Sequence, residues 1–241
     1  DWINLIKSGD FGDYYYNVCE QDDYRMEGFE KGTGYKHHTI LLAADKILAQ
    51  KDITEDYPFH ADISFIGTYL PERRAFMKKH VFPLSDNYDL RLFCQDLHLL
   101  DRGLNFTLKV GQYFNIPILR SFKKNNVTFD QEKIILKNST ICLNIHEEYQ
   151  KKYGDFNDRT FKIPLYSGFE ITDNVPTISR YLKDGEEIVI AKNTSDWFEK
   201  IDYYIKNPEK RLSIIEAGKK RVLKEHTYHK RVDEFITLYN K

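Results

Sequence analysis

Two short stretches combine cations, small residues and a helix start in the way an anion site requires. The first is Ile63-Ser-Phe-Ile-Gly67-Thr-Tyr-Leu-Pro71-Glu-Arg73-Arg74. An apolar run ends at Gly67, and Pro71 suits the first turn of a helix. Such a turn brings backbone amides and a helix N-terminus to one place, and Arg73 and Arg74 add charge. One glycine is not a G-x-G-x-x-G and no Walker lysine follows. Taken alone, the segment reads better as an ordinary strand-to-helix turn with solvated arginines. The second stretch is Asn157-Asp158-Arg159-Thr160-Phe-Lys162, running on to Gly168-Phe-Glu-Ile-Thr-Asp173. Asn157 or Asp158 makes a good helix cap, which puts Arg159 in the first turn. A cation there opposes the helix dipole, so it points to an anion. The competing reading pairs Arg159 with Asp155 or Asp158.

The histidines offer less. Neighbours His37 and His38 diverge on a strand and do not share a metal easily. His226 and His229, spaced i, i+3 on an expected helix, lack the glutamate of H-E-x-x-H. His146, just past a strand end, is the one best placed for a ligand, and the others read as surface or capping residues. There is no G-x-S-x-G elbow and no cysteine with the surroundings of a nucleophile.

These segments must be held by a recurring unit, a short apolar strand followed by a helical stretch. Strands are expected at Tyr14–Cys19, Thr39–Ala43, Asp62–Gly67, Tyr88–Cys94, Thr140–His146, Phe169–Thr172 and Glu187–Ala191. Runs such as Ile141-Cys-Leu-Asn-Ile145 are apolar on successive residues, as parallel strands covered on both faces are. Alternation with helices predicts an α/β fold: a Rossmann-like parallel sheet with helices on both faces. The strand ending near Asn144 then leads into the Arg159 helix, whose N-terminus falls at the ligand-binding edge of such a sheet. Trp197, Ile201, Tyr204 and Ile205 form one helical stripe. Asn207-Pro208 stops that helix and caps the next. Val232, Phe235, Ile236 and Tyr239 form a final stripe, expected to cross back toward the N-terminal part. The polar, proline-bearing stretch Lys51–Pro58 reads as a linker. We therefore expect residues 1–60 to be the end of a domain that begins upstream, 61–225 to be the main α/β domain, and 226–241 to be the returning helix. Gln95 to Asn126 has no clear period and is expected to be a long loop.

With 36 Lys+Arg against 37 Asp+Glu in 241 residues, the formal net charge is -1. That balance argues against a generic nucleic-acid binder. Hydrophobic residues at 41% and charged residues at 30% are globular values. No apolar run approaches the ~18–20 residues of a membrane helix. Cys19, Cys94 and Cys142 are widely spaced, with no C-x-x-C pair, so structural zinc and a redox dithiol are not expected, and a reducing compartment fits.

Taken in order, these segments resemble the CgeB-like, spore-maturation-type glycosyltransferases of the GT-B fold, from about residue 13 to residue 236. The resemblance rests on Asp62-Ile-Ser-Phe-Ile-Gly-Thr with Pro71-Glu-Arg73, Asn138-Ser-Thr-Ile-Cys-Leu-Asn-Ile145, Asn157-Asp-Arg-Thr-Phe161 with Ser167-Gly-Phe-Glu-Ile-Thr-Asp173, Tyr181-Leu-Lys-Asp-Gly-Glu-Glu187 and Glu225-His-Thr-Tyr-His-Lys-Arg231. It implies a cytoplasmic bacterial enzyme that moves a sugar from a nucleotide-sugar donor to a glycan, protein or small-molecule acceptor. This chain would be mainly the donor-binding half, with no cofactor and no obligatory metal. Gly67 and Arg73 would lie near the diphosphate and Asn144 and His146 by the nucleotide. Asn157, Arg159 and Thr160 would meet the phosphates, and Gly168 belongs to the same donor-site set. One position departs: the family's Arg-Thr-Phe-Glu is here Arg159-Thr-Phe-Lys162. A lysine cannot accept a hydrogen bond from ribose, so either the donor is held differently or part of the site is lost. Lys162→Glu is accordingly expected to strengthen nucleotide-sugar binding; the other reading pairs Lys162 with Glu147 or Glu148. The alternatives to a transferase are a non-catalytic GT-B-like binding or scaffolding module and, more remotely, a response-regulator-like domain, for which no clustered aspartates appear.

Overall fold

The computed structural model describes residues 2–9, 12, 14–20, 23–53, 59–95, 97–120 and 127–240. In chain order the elements are α1 (Trp2–Lys7), β1 (Tyr15–Asn17), α2 (Tyr24–Thr33), β2 (His37–Thr39), α3 (Lys46–Gln50), β3 (Ala61–Thr68), α4 (Pro71–Phe76), β4 (Leu90–Gln95), α5 (Leu99–Tyr113) and α6 (Pro117–Arg120). There follow α7 (Phe129–Asn138), β5 (Ser139–Asn144), α8 (Glu148–Tyr153), α9 (Arg159–Leu165), β6 (Glu170–Asp173), β7 (Val189–Ala191), α10 (Thr194–Lys206), α11 (Pro208–Glu225) and α12 (Tyr228–Tyr239). A π-helical turn at Met77–Val81 and a 3-10 turn at Phe82–Asp86 extend α4 toward β4.

Five strands form one parallel sheet in the order β4-β3-β5-β6-β7, and β1 and β2 form a separate parallel pair. Counted along the chain, the large sheet runs 2-1-3-4-5. The winding reverses between β3 and β5, which opens a crevice at their C-terminal ends. The side-chain period of two divides the core accordingly. Ile63, Phe65, Ile141, Leu143, Phe169, Ile171, Val189 and Ala191 pack on one face with Trp197 and Ile201 of α10. Cys142 and Ile190 look the other way, toward Leu136, Phe161, Ile163 and Val222. Covering both faces explains why Ile141-Cys-Leu in β5 and Val189-Ile-Ala in β7 are apolar on successive residues.

Local chemistry sets the helix starts. Thr128 and Gln131 form a capping box on α7, and Glu147 and Gln150 form one on α8. Asn193 caps α10 and Thr227 caps α12 through their side chains. Pro71 opens α4 as expected. Asn207 does not cap α11 with its side chain; its amide donates back to the Tyr203 carbonyl at 2.7 Å.

Several expectations change. The stretch read as a loop over Gln95–Asn126 is largely helical, as α5 and α6, with 96 and 121–126 outside the described residues. Its period is hard to see in sequence because its large side chains are not on a buried stripe: Leu99, Leu100, Phe106, Tyr113 and Ile118 are all exposed. The strand expected at Thr39–Ala43 is the shorter, earlier β2, and only Ala44 makes a bridge, to Thr227. That bridge, with Ala44 N–H to His226 carbonyl at 3.0 Å and Tyr228 N–H to Ala44 carbonyl at 3.1 Å, ties the N-terminal segment to the start of α12. Farther along α12, the ring of Phe235 lies 5.0 Å from that of Tyr16 and the ring of Tyr239 lies 5.8 Å from that of Tyr14, and all four residues of the stripe, Val232, Phe235, Ile236 and Tyr239, remain exposed. Of the expected linker Lys51–Pro58, residues 54–58 lie outside the described set. Among the described residues no helix is long and apolar enough to cross a membrane.

Candidate anion-binding cleft

The crevice between the ends of β3 and β5 is a cleft of about 590 Å³. Gly67 and Thr68 close β3 at its floor. Arg73 enters from α4, Glu147 and Gln150 from the start of α8, and Asn157 and Arg159 from the start of α9. Leu97, His98 and Asp101 from the start of α5 and Phe129 and Glu132 from α7 complete the walls.

Asn144, the last residue of β5 and fully buried, organises the cationic side. Its Oδ1 accepts from Asn157 Nδ2 at 2.9 Å and from Arg159 Nε at 3.2 Å. Its Nδ2 donates to Glu170 Oε1 at 2.8 Å and to Thr160 Oγ1 at 3.2 Å. An arginine nitrogen can only donate, so the amide has one possible orientation. Asn157 Oδ1 in turn accepts the Arg159 backbone N–H at 3.0 Å, so Asn157 rather than Asp158 caps α9 with its side chain.

Two guanidinium groups result. Arg159 hydrogen-bonds no carboxylate among the described residues, and its carbon lies 5.9 Å from the Phe65 ring. Burial, then the charge of Arg73, lowers its pKa from the usual arginine value. Arg73 is buried; it reaches the Thr68 carbonyl at 3.3 Å and Glu147 at 3.4 Å, and its Nε has no partner. Burial lowers its pKa too, against the pull of Glu147 and Asp173. Two cations that repel each other and are short of counter-charge gain from an anion set between them. Gly67 allows the approach: a Cβ there would stand 2.8 Å from Phe65 Cζ and 3.2 Å from Arg159 Nη1.

The remaining residues singled out from sequence lie elsewhere. Thr160 is buried behind Asn144. His146 is buried too, with Nδ1 2.7 Å from Asp173, which also accepts its backbone N–H. Burial lowers its pKa, against the pull of Asp173. It does not line the cleft, so Asp173 is its ligand. Lys162 does not line the cleft either: it bridges Glu132 at 3.2 Å and Asp158 at 2.9 Å, not Glu147 or Glu148. Gly168 is a packing position, where a Cβ would meet the Leu136 carbonyl at 2.7 Å and Ile163 Cγ2 at 2.9 Å. His37 is buried rather than a surface residue; His226, also buried, caps the C-terminus of α11 through its backbone N–H to Val222 instead of lying on a helix with His229. The cleft cysteine, Cys94, has its thiol pushed up to about 12 by burial, which leaves it un-ionised. Among the described residues, the grouping with metal-like spacing is Cys19, Asp23 and Asp155. Arg25 already occupies both carboxylates, at 2.5 Å and 2.8 Å.

Sequence reasoning missed Glu170 and Glu132, both of which touch the residues it chose. The one signal for Glu170 was an acid inside an expected strand of a sheet covered on both faces.

A family model described as glycosyl transferase-like matches residues 91–237, more than half of the chain. The protein belongs to that family, and its architecture is that of the GT-B glycosyltransferases. Solved structures agree at the level of fold. Sucrose-phosphate synthase from Thermosynechococcus elongatus superposes with a TM-score of 0.61 at 11% identity, over 99% of this chain and 60% of that one. A glycosyltransferase from Rickettsia africae gives 0.59 at 12% identity, over 99% and 66%. A point mutant of S. aureus TarM, in complex with Fondaparinux, alpha-GlcNAc-glycerol and UDP, gives 0.55 at 10% identity, over 99% and 46%. The chain thus spans about half to two thirds of the length of these structures. No curated protein matches the sequence.

Proposed function

We propose that this chain is the donor-binding half of a CgeB-like glycosyltransferase. In this reading the cleft between β3 and β5 holds the diphosphate of a nucleotide-sugar, and the sugar passes to an acceptor carried by the remainder of the enzyme. The observation that carries the reading is the pair Arg73 and Arg159, set at the reversal point of the sheet with Arg159 bonded to no carboxylate among the described residues. As the glycosidic bond breaks, negative charge grows on the departing diphosphate. Fixed cations in a water-poor cleft stabilise that charge without reorganising, and in this reading they do so without a metal. Asn157 and Asn144 hold the Arg159 side chain in place, and Gly67 leaves room beside it. UDP in the TarM structure supports the choice of ligand class. The three cysteines, all free thiols, suit a cytoplasmic setting. A second reading, a GT-B-like module that binds or scaffolds without transferring, draws on Lys162, which occupies the position of an expected acceptor and engages Glu132.

The test is a thermal-shift series with UDP, GDP, ADP, CMP and their sugar conjugates. A saturable rise in Tm with at least one diphosphate, absent with the matching nucleoside, is expected. No shift with any of them would remove the donor-site reading and favour the second.

A further inference from the structure

Glu170 sits where the fold does not need an acid. β6 turns Phe169 and Ile171 toward α10, which by the period of two aims Glu170 at α9 and the back of the cleft. The residue is 2% exposed. Its Oε1 accepts from Asn144 Nδ2 at 2.8 Å, and its Oε2 is buried with no partner. A half-satisfied buried carboxyl is costly, and an apolar residue would fill the space at less expense of stability.

Resting on the donor-site reading above, we propose that Glu170 is a positioning residue and charge gate for the cleft. It holds the Asn144 amide so that Oδ1 faces Arg159 and Asn157, and its own ionisation sets how strongly the arginine pair attracts an anion. The geometry gives the first role, because Asn144 spends its two donors on Glu170 and Thr160 and its acceptor on the cationic side. The second follows from the lone unpartnered oxygen, which leaves the carboxyl free to carry either a proton or a charge.

Burial raises the Glu170 carboxyl to about 8; the Asn144 hydrogen bond and the Arg159 charge pull it down, and Asp173 pushes it up. It is therefore neutral below that pH and ionised above it. The surrounding groups leave this titration to Glu170. Cys142, its register partner on β5, has its thiol raised to about 12. Val189, Ile190 and Ala191 of β7, on the other side, carry no ionisable group. On α9, Lys162 is committed to Glu132 and Asp158, which leaves Arg159 as the facing cation. Asp173, on the same strand, is held ionised by His146 and Lys151. As pH rises through 8, a negative charge appears behind Arg159 and offsets the field that holds an anion. In the other direction, an anion in the cleft favours the protonated acid, so binding above pH 8 takes up a proton.

The experiment titrates the wild-type chain, Glu170→Gln and Glu170→Leu with inorganic pyrophosphate and with UDP by calorimetry. It runs at pH 6.5, 7.5, 8.5 and 9.5 and constant ionic strength, in buffers of differing ionisation enthalpy. Glutamine keeps the acceptor for Asn144 and cannot ionise. Wild type and Glu170→Gln should bind alike at pH 6.5. By pH 9.5 the wild type should be weaker than Glu170→Gln by about tenfold, the size of one unit of charge acting across a partly polar interior, and with the same ligand wild type should take up more protons on binding than Glu170→Gln does. Glu170→Leu should bind several-fold more weakly than Glu170→Gln at every pH, and more weakly than wild type at pH 6.5. Parallel profiles for wild type and Glu170→Gln would overturn the gate, and a folded Glu170→Leu that binds as tightly as Glu170→Gln would overturn the positioning role. If Glu170→Leu does not fold, the Gln comparison alone decides. Wild type that binds neither anion at any pH would remove the donor-site reading and this proposal with it, an outcome distinct from binding that ignores Glu170.

Discussion

Among the described residues, two clefts lined with cations differ in how those cations are paired. The second, of about 690 Å³, lies where α11 and α12 meet the N-terminal segment. It is larger than the first and carries Arg221, Lys224, Lys230 and Arg231. Each of the four faces an acid: Arg221 meets Glu225 at 2.8 Å, Lys224 meets Glu225 at 3.2 Å, Lys230 meets Asp233 at 3.7 Å and Arg231 meets Glu234 at 2.9 Å. The first cleft is not uniformly basic either, since Asp101, Glu132 and Glu147 line it. Yet Glu132 faces Lys162, and Arg159 is left with an amide oxygen in place of a carboxylate. Neither size nor the number of basic residues sets the cleft proposed to hold a donor apart from the other. What separates the two is Arg159: Arg73 reaches Glu147 at 3.4 Å, much as the cations of the second cleft reach their acids, but Arg159 hydrogen-bonds no carboxylate among the described residues.

The largest effect should come from breaking the structural side. Arg231 donates to the Leu41 carbonyl at 3.0 Å and the Glu225 carbonyl at 3.2 Å, and its Nη2 lies 3.1 Å from His226 Nδ1. Arg231→Ala removes these contacts along with the Glu234 pair, and should lower the unfolding free energy by about 3 kcal/mol. Chemical denaturation reads that loss, and in the still-folded fraction the affinity for UDP should be unchanged. Arg159→Ala should do the reverse. It removes no ion pair, so stability should hold. Affinity for diphosphates should fall by roughly 1.5–3 kcal/mol, the range of a charge-assisted hydrogen bond, with the bare nucleoside unaffected. Equal losses for nucleoside and diphosphate would assign Arg159 to the fold and erase the contrast between the clefts.

What was legible in the sequence follows the same division. The parallel α/β sheet was visible because strands such as β5 and β7 are buried on both faces and so run apolar on successive residues. The helix start at Pro71 lies in a residue type with one preferred use, whereas Asn207, expected to cap α11, turns its amide back to Tyr203 instead. Arg159 stood out because a first-turn cation contradicts the helix dipole. Partnership was not visible. His146 looked open to a ligand because it follows a strand, yet Asp173, 27 residues on, bonds its ring. Lys162 could not be given Glu132, 30 residues earlier on another helix. Glycines showed the same limit: Gly67 and Gly168 read alike in sequence, but one makes room for a guanidinium and the other for a helix carbonyl. Spacing reveals which residues share an element; which acid meets which base is decided by the crossovers of the sheet.

A smaller effect should come from crowding Arg159 without touching its charge. Gly67→Ala places a Cβ against Phe65, which is fully buried, and against Arg159 Nη1. The overpacked ring should cost about 1 kcal/mol of stability. The displaced guanidinium should weaken UDP by a similar amount, with no effect on the second cleft. Unchanged diphosphate affinity alongside lowered Tm would mean that the position of Arg159 is not set at Gly67.

The smallest effect, and the one that most directly sets sequence against structure, is at Lys162. The sequence reading expects Lys162→Glu to strengthen nucleotide-sugar binding by restoring an acceptor. The packing argues for the opposite sign. Lys162 is the cation between Glu132 and Asp158, and those two acids raise its pKa against the opposing effect of burial. Both acids also act on Arg159 across the same helix start. With a glutamate at 162, three carboxylates would share one space. The group best able to relieve them is Arg159, which would be drawn from the cleft toward Glu132. Lys162→Glu should then weaken UDP by about 0.5–1 kcal/mol, the scale of a partly exposed ion pair, and lower Tm slightly. Lys162→Met, which removes the cation and adds no acid, should give part of the same loss. A gain in affinity with Lys162→Glu, confined to ligands with intact ribose hydroxyls, would reverse this account and place position 162 in the donor site.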